Sequence, residues 1–325
     1  MLDVWFGALR HGHRFARLAQ ADALDDQGYH LAARTLRVEP VVACGYARAL
    51  AVTADGLVAT WGRPLPRRQD CPYVGEPDRL LRDVRAVTAG EDHYLALTGD
   101  GRVVAWGDNL FGQCDVPDDL PPVEAVAAGY YHSLALTTDG RVVAWGNNDY
   151  GQIDVPPDLP PVVAVAASIL YSLALTAEGQ VVVWGSGCGS DAPPGLKAVA
   201  ATVSHSHALA LTPEGRVVAW GDNACGECDV PSDLPPVVSV SAGMNYSVAL
   251  TVTGDVVVWG KPWFPHAVPP GLKAVAVAAC DVPLLAVTPE GRVVAWSVRD
   301  RDPRCAVPRD LTVRVTSSDT PAGNT

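Results

Sequence analysis

The chain has 325 residues, 48% of them apolar, and 24 Lys and Arg against 36 Asp and Glu give a formal net charge of −12. That balance argues against sequence-independent nucleic-acid binding and against an anionic membrane surface as partner, since both need a Lys/Arg-rich face. No apolar run approaches the ~20 residues that span a bilayer, and eight cysteines are too sparse for a disulfide scaffold in a chain this long.

In chain order, residues 1–39 stand apart. Met1–Phe6 reads as a short strand able to help close a ring. From about Arg14 to Leu36 the apolar positions Phe15, Leu18, Leu24, Leu31 and Leu36 are loosely helical, and Gly28 divides the stretch into two short helices. The start lacks a basic stretch followed by an apolar one, so no secretory signal is read and a cytoplasmic protein is expected; a secreted form would need a signal already removed.

Residues 40–316 repeat. Trp61, Trp106, Trp145, Trp184, Trp220, Trp259 and Trp296 recur at steps of 36 to 45 residues, and all but the last precede Gly. A period near 40 that carries its own aromatic marks a repeat array. In the third repeat, Val123–Gly129, His132–Thr137 and Arg141–Gly146 are short apolar runs cut by Gly, Asp and Asn, which is the pattern of strands. Asp139-Gly140 joins two of them in a tight hairpin, because Gly accepts positive φ. The turn recurs as Asp55-Gly56, Asp100-Gly101, Glu178-Gly179, Glu214-Gly215, Thr253-Gly254 and Glu290-Gly291. A fourth short strand is expected near each Val-Pro.

Four-stranded units of this length are propeller blades, so the expected fold is all-β, a seven-bladed β-propeller. Its Ala- and Gly-rich first strands would line the crowded axis, and each Trp would pack between blades. Leu311–Thr316 resembles the first strand of another unit and would complete a blade; residues 317–325 read as a disordered tail.

The pattern Ala-Gly-x-x-His-Ser-Leu-Ala-Leu-Thr, Asp-Gly-x-Val-x-x-Trp-Gly, Asn-x-x-Gly-Gln resembles the regulator of chromosome condensation repeat. Gly129, His132, Trp145, Gly146, Asn148, Gly151 and Gln152 carry it in the third repeat. The Val-Pro-x-x-Leu-Pro-Pro-Val connection looks more like bacterial members, among them the propeller-type β-lactamase inhibitor. The resemblance implies a seven-bladed propeller. It also implies a role in holding another protein, because family members act as exchange factors for a small GTPase, as inhibitors and as adaptors. The exchange factor's chromatin binding has no basic tail here to match it.

Loops alternate between the two faces of such a ring, so those after the first and third strands share a face. The odd residues collect there. Phe111, Tyr130, Tyr131, Tyr150, Leu170, Met244, Trp263 and Phe264 are the candidate partner-binding residues, of the types that dominate interface hot spots. The plain alternative is that several of them fill blades.

His93, His132 and His207 share a position that Tyr171 and Tyr246 fill elsewhere, so it reads as a hydrogen-bonding architectural slot. Cys225-Gly-Glu-Cys228 has redox or zinc spacing, but Cys114 and Ile153 occupy the place of Cys228 in other repeats, which makes it a small apolar slot. Arg63, Arg67, Arg68, Arg79 and Arg82 form a basic insertion, read as a solvated loop. There is no nucleophile elbow, no phosphate loop and no His-Glu-x-x-His. The reading is therefore a monomeric, non-enzymatic binding module with no cofactor and no metal. The alternatives are an inhibitor of a β-lactamase-like or other bacterial enzyme, and an enzyme or small-ligand binder at the central mouth.

Overall fold

The computed structural model describes residues 41–46, 48–63, 73–75, 81–186, 192–261, 267–279, 283–297, 302–313 and 315. The N-terminal strand and helices expected in residues 1–39, and the tail 317–325, lie outside the described residues.

Seven antiparallel sheets form in chain order. Blade 1 holds β1 (Val42–Cys44), β2 (Arg48–Val52) and β3 (Val58–Gly62). Next come β4 (Tyr73–Val74), β5 (Val84–Ala89), β6 (His93–Thr98) and β7 (Val103–Asp108) in blade 2. Blade 3 holds β8 (Val123–Ala128), β9 (His132–Thr137) and β10 (Val142–Gly146). Blade 4 holds β11 (Val162–Ala167), β12 (Tyr171–Thr176) and β13 (Val181–Gly185). Blade 5 holds β14 (Ala200–Val203), β15 (His207–Leu211) and β16 (Val217–Gly221). Blade 6 holds β17 (Val237–Ala242), β18 (Tyr246–Thr251) and β19 (Val256–Gly260). Blade 7 holds β20 (Ala276–Ala279), β21 (Leu284–Val287) and β22 (Val293–Trp296). The first strands β1, β5, β8, β11, β14, β17 and β20 touch in sequence and β20 returns to β1, which closes a seven-bladed ring.

Four strands per blade are not seen among the described residues: six sheets have three strands there, and blade 2 has a fourth, β4, paired outside β7. Among the described residues the Val-Pro segments are not strands. Their prolines lack the N–H a ladder needs, and the chain turns instead, with Leu120 N donating to Pro117 O at 3.2 Å and Leu159 N to Pro156 O at 3.2 Å. Val116 and Leu120 pack on the cluster that holds Trp145, so the segment covers a tryptophan rather than extending a sheet.

The core lies between blades. Each Trp sits against the middle strand of the preceding blade: Trp145 with Leu95 and Leu97, Trp184 with Leu134 and Leu136, Trp259 with Leu209 and Leu211. Trp61 closes the circle by packing with Leu285 and Val287 of blade 7. The alternation of Leu and Ala on the middle strands sends one set toward each neighbouring blade.

The hairpins follow one design. Gly140 N donates to Thr137 O at 2.9 Å, Thr137 N donates to Arg141 O at 2.9 Å, and Gly140 has φ 82°. The Thr137 hydroxyl bonds the Asp139 carboxylate and accepts from Arg141 N. This is a type I turn followed by a left-handed glycine, one of the common short hairpin loops.

The C-terminal segment completes blade 1, as its sequence pattern suggests. Val313 bridges Thr53 of blade 1 and Thr312 bridges Arg292 of blade 7. Val313 N donates to Gly291 O at 2.9 Å, as Val123 N does to Gly101 O at 2.9 Å where blades 2 and 3 meet. Residues 312–313 thus stand where the first strand of each other repeat begins.

Candidate interaction face

Two kinds of loop meet on one face. The amide of Asp108, after a third strand, donates to Asp92 O at 2.9 Å, after a first strand; Asn147 to Tyr131, Ser186 to Leu170 and Asp222 to Ser206 repeat the link at 2.9 to 3.0 Å. The Trp-Gly step makes the turn possible. Gly146 has φ 103°, and a Cβ there would lie 2.7 Å from Tyr131 O, so neither the conformation nor the space admits a side chain.

Behind this face lies a repeated clamp. His93, His132 and His207 place Nε2 at 3.1, 2.9 and 2.9 Å from Ser133, Ser172 and Ser247 Oγ of the following blade. Each serine donates to the backbone carbonyl of the residue closing the third loop, Gln113, Gln152 or Glu227, at 2.8 to 2.9 Å. The Trp145, Trp184 and Trp259 indoles donate to the same carbonyls at 2.9 to 3.0 Å. With the serine proton committed, the imidazole donates from Nε2 and is neutral. Burial, foremost, pushes His93 down to about 3 and His132 and His207 to about 4. These pairs look like Ser–His dyads, but the serines are buried and hold the blades together, as the slot reading expects.

The loops after the third strands are built by their own side chains. Asn109 Nδ2 donates to Asp115 Oδ1 at 2.8 Å and its Oδ1 accepts from Cys114 N at 2.8 Å; Asn148 with Asp154 and Asn223 with Asp229 repeat the arrangement. Only the two-residue tips are free to vary. Cys114 and Cys228 sit inside this turn, and burial, foremost, raises their thiols to about 12 and about 11. Neither is a reactive thiolate. Cys114, Cys225, Cys228 and Cys305 are free, whereas Cys44 is disulfide-bonded. Among the described residues no three His, Cys, Asp or Glu side chains gather to hold a metal.

The candidate binding residues divide. Phe111 and Tyr131 rings lie 5.0 Å apart across the blade 2–blade 3 boundary, and Tyr130 meets Tyr131 edge-on at 4.9 Å. These are the spacings aromatic pairs favour. Tyr150 occupies the tip that Phe111 occupies one blade earlier, and it is 49% exposed. Leu170 is half-buried and packs with the blade 4–blade 5 core instead. Met244 is half-buried at the axial mouth, which Tyr130 also lines. Trp263 and Phe264 lie outside the described residues. Tyr46 and Leu110 were not among the candidates, yet they are 51% and 50% exposed on this same face.

The axial mouth is a cavity of about 130 Å³ lined by the ends of the first strands of all seven blades. Tyr46, Glu91, Tyr130, Ile169, His205 and Met244 stand at one equivalent position around it. Backbone bonds lace the rim, with Tyr46 N donating to Glu91 O at 2.9 Å and Tyr130 N to Ser168 O at 3.0 Å.

Residues 84–113, 123–152 and 197–227 match the model of the regulator of chromosome condensation (RCC1) repeat. Three stretches of the propeller thus match RCC1 repeats. The same fold is found in the ectodomain of the Physcomitrella patens receptor kinase CR4, at 23% identity over 79% of this chain and 73% of that one, with a TM-score of 0.64. It is found in the CRINKLY WD40 ectodomain of the Arabidopsis thaliana receptor kinase ACR4, at 20% identity over 85% and 98% of the two chains, TM-score 0.65. A third is Prp20p of Saccharomyces cerevisiae, described with its binding to Gsp1p and histones, at 18% identity over 74% and 80%, TM-score 0.61. At such identity the likeness of this propeller to these structures is one of fold. No curated protein sequence matches the chain.

Proposed function

We propose that this propeller is a non-enzymatic module that holds a partner protein on the face built by the loops after its first and third strands. One observation carries the reading. The large apolar side chains that are exposed among the described residues, Tyr46, Leu110, Phe111 and Tyr150, all belong to loops of this face. The opposite face carries the Asp/Glu-Gly hairpins, with surface ion pairs such as Arg102–Asp100 and Arg141–Asp139. A one-sided concentration of aromatic surface is the usual mark of a contact site. Phe111, Tyr130, Tyr131 and Tyr150 are the binding residues on this reading, with Tyr46 and Leu110 beside them. An inhibitor is the special case in which the partner is an enzyme. A second reading, a small ligand at the axis, rests on the rimmed cavity with Glu91, His205 and two tyrosines at its edge.

The test compares the wild-type chain with a Phe111→Ser, Tyr150→Ser variant of unchanged thermal stability, each used to capture protein from lysate of the native host. Loss of a captured protein in the variant supports the reading. Equal capture by both removes this face as the site.

A further inference from the structure

We infer that the occupant of this face is an Arg-rich, positively charged protein segment; the inference rests on the partner-binding reading above and names its chemistry.

The described loops of blades 2 to 5 differ in charge from the hairpins behind them. Arg102, Arg141, Arg216 and Arg292 each follow a hairpin glycine, and Lys197 and Lys273 lie in the connections, so these cations sit on the hairpin side. Several are matched there, as Lys273 is by Asp255 at 2.6 Å. On the loop face Arg63 and Lys261 follow the third strands of blades 1 and 6, but blades 2 to 5 are different. In blades 2 to 5 the described loops of this face contain no Lys or Arg, while Glu91, Asp92, Asp108, Asp149, Asp222 and Asp229 all belong to them. The donor to Asp229 is the neutral amide of Asn223 at 2.8 Å, which leaves the carboxylate charge in place.

The acids share or adjoin the loops that carry the aromatic cluster. Gln113 accepts from Phe111 N at 2.9 Å and donates to Asp108 Oδ2 at 3.2 Å, which ties the Phe111 tip to that carboxylate. Asp108 N in turn reaches Asp92 O at 2.9 Å, and Glu91 N reaches Tyr130 O at 3.4 Å. Aromatic faces flanked by carboxylates suit a guanidinium, which stacks on a ring while its planar fork meets a carboxylate. An ammonium fits less well, since it lacks the planar face that stacks and the fork that meets a carboxylate bidentately. The same field repels nucleic acid and anionic lipid.

The experiment measures, by fluorescence anisotropy, binding of a short labelled peptide of alternating Arg and Gly to the full chain, against Ser-Gly and Glu-Gly peptides of equal length. Two variants with the same change in net charge are compared, Asp108→Asn/Asp149→Asn on the loop face and Asp100→Asn/Asp139→Asn on the hairpin face. Asn is tolerated at position 108, because Asn147 takes that place in blade 3 and accepts from Gln152 at 2.7 Å. The Arg peptide is expected to bind at least about tenfold more tightly than the Ser peptide. The loop-face pair should lose about tenfold and the hairpin-face pair less than about twofold, with the difference shrinking as salt is raised. Equal losses in the two variants, no loss in the loop-face pair, or no preference for Arg over Ser would each overturn the inference. Lysate capture separates the two levels. Capture lost with Phe111→Ser, Tyr150→Ser but unchanged with Asp108→Asn/Asp149→Asn leaves the binding face standing and removes the basic partner. Capture unchanged by both removes the face.

Discussion

Arg304 and Asp302 form a buried ion pair at the seam where the last blade meets the first, Nη2 to Oδ2 at 2.8 Å, with side chains 3% and 0% exposed. The Arg304 guanidinium also donates to Tyr46 O at 2.7 Å, and its own carbonyl accepts from the Trp61 indole at 2.7 Å. Arg304 thus takes the place that Gln113 and Gln152 hold between other blades, with a cation reaching across the seam in addition.

Truncating this residue is expected to open the ring. Arg304→Met leaves the Asp302 carboxylate buried without its partner, which costs about 3–5 kcal/mol. Replacing both, as Asp302→Ala/Arg304→Met, should cost clearly less than the two single changes summed. A urea double-mutant cycle measures the coupling, and additive single effects would show that the pair does not act as a unit.

Acid should weaken the protein in a window that histidine sets. His93, His132 and His207 are held neutral in the fold, down to about 3 and about 4, while the unfolded chain takes up protons near pH 6.5. Their contribution is complete above that pH and is lost as pH falls toward about 4, by up to about 2 kcal/mol per histidine at about pH 5. Asp302 acts lower: burial pushes its carboxyl up, but the hydrogen bonds and charge of Arg304 outweigh that and hold it below 3.8, so its share is lost only as pH falls through the acid range beneath. His132→Tyr, the residue type blade 4 uses as Tyr171, should reduce the slope of unfolding free energy against pH between about 6.5 and 5 by one third. An unchanged slope would mean that His132 is not among the protons taken up.

Glu227 offers a gain. It fills the closing position of the blade 5 loop, its Oε2 accepts from Cys225 N at 2.7 Å, and its Oε1 is buried with no hydrogen-bond partner. Gln113 and Gln152 use the equivalent atom as an amide donor to Asp108 and Asn147. Asp222 stands at the repeat position of Asp108, so Glu227→Gln supplies the amide donor that Gln113 offers there. The expected change is a stabilisation of about 1–3 kcal/mol, read from the denaturation midpoint. Destabilisation would show that the carboxylate has a role the repeat geometry does not reveal.

Most of the architecture was legible because each recurring residue answers a local demand. Gly140 and its equivalents accept the left-handed turn, the Trp fills the space between blades, and His132 supplies a donor that Tyr171 can replace. The fourth strand expected near each Val-Pro is not seen among the described residues, where the prolines remove the donors a ladder needs. The face was legible from loop alternation alone, and Phe111, Tyr130 and Tyr131 do meet on it. Leu170 and Met244 could not be sorted from the exposed residues, since a loop side chain takes its direction from neighbours on other blades. The Arg304–Asp302 pair broke the repeat pattern and carried no repeat signal at all.

The ring closure itself can be tested at Val313. This residue is 4% exposed, packs in the cluster shared by blades 1 and 7, and pairs with Thr53. Ala54 N donates to Thr312 O at 3.0 Å, as Thr138 N donates to Pro122 O at 3.0 Å within blade 3. The segment therefore holds blade 1 from a point far along the chain, and a closed ring has no exposed sheet edge between its ends. Val313→Asp places a carboxylate in that apolar seam and should cost about 3 kcal/mol or more. Hydrogen exchange should then rise first in β2 and β21, which flank the seam, and last in β9 and β12 on the far side of the ring. Uniform loss of protection across all seven blades would mean that the ring unfolds as one unit without opening at this seam.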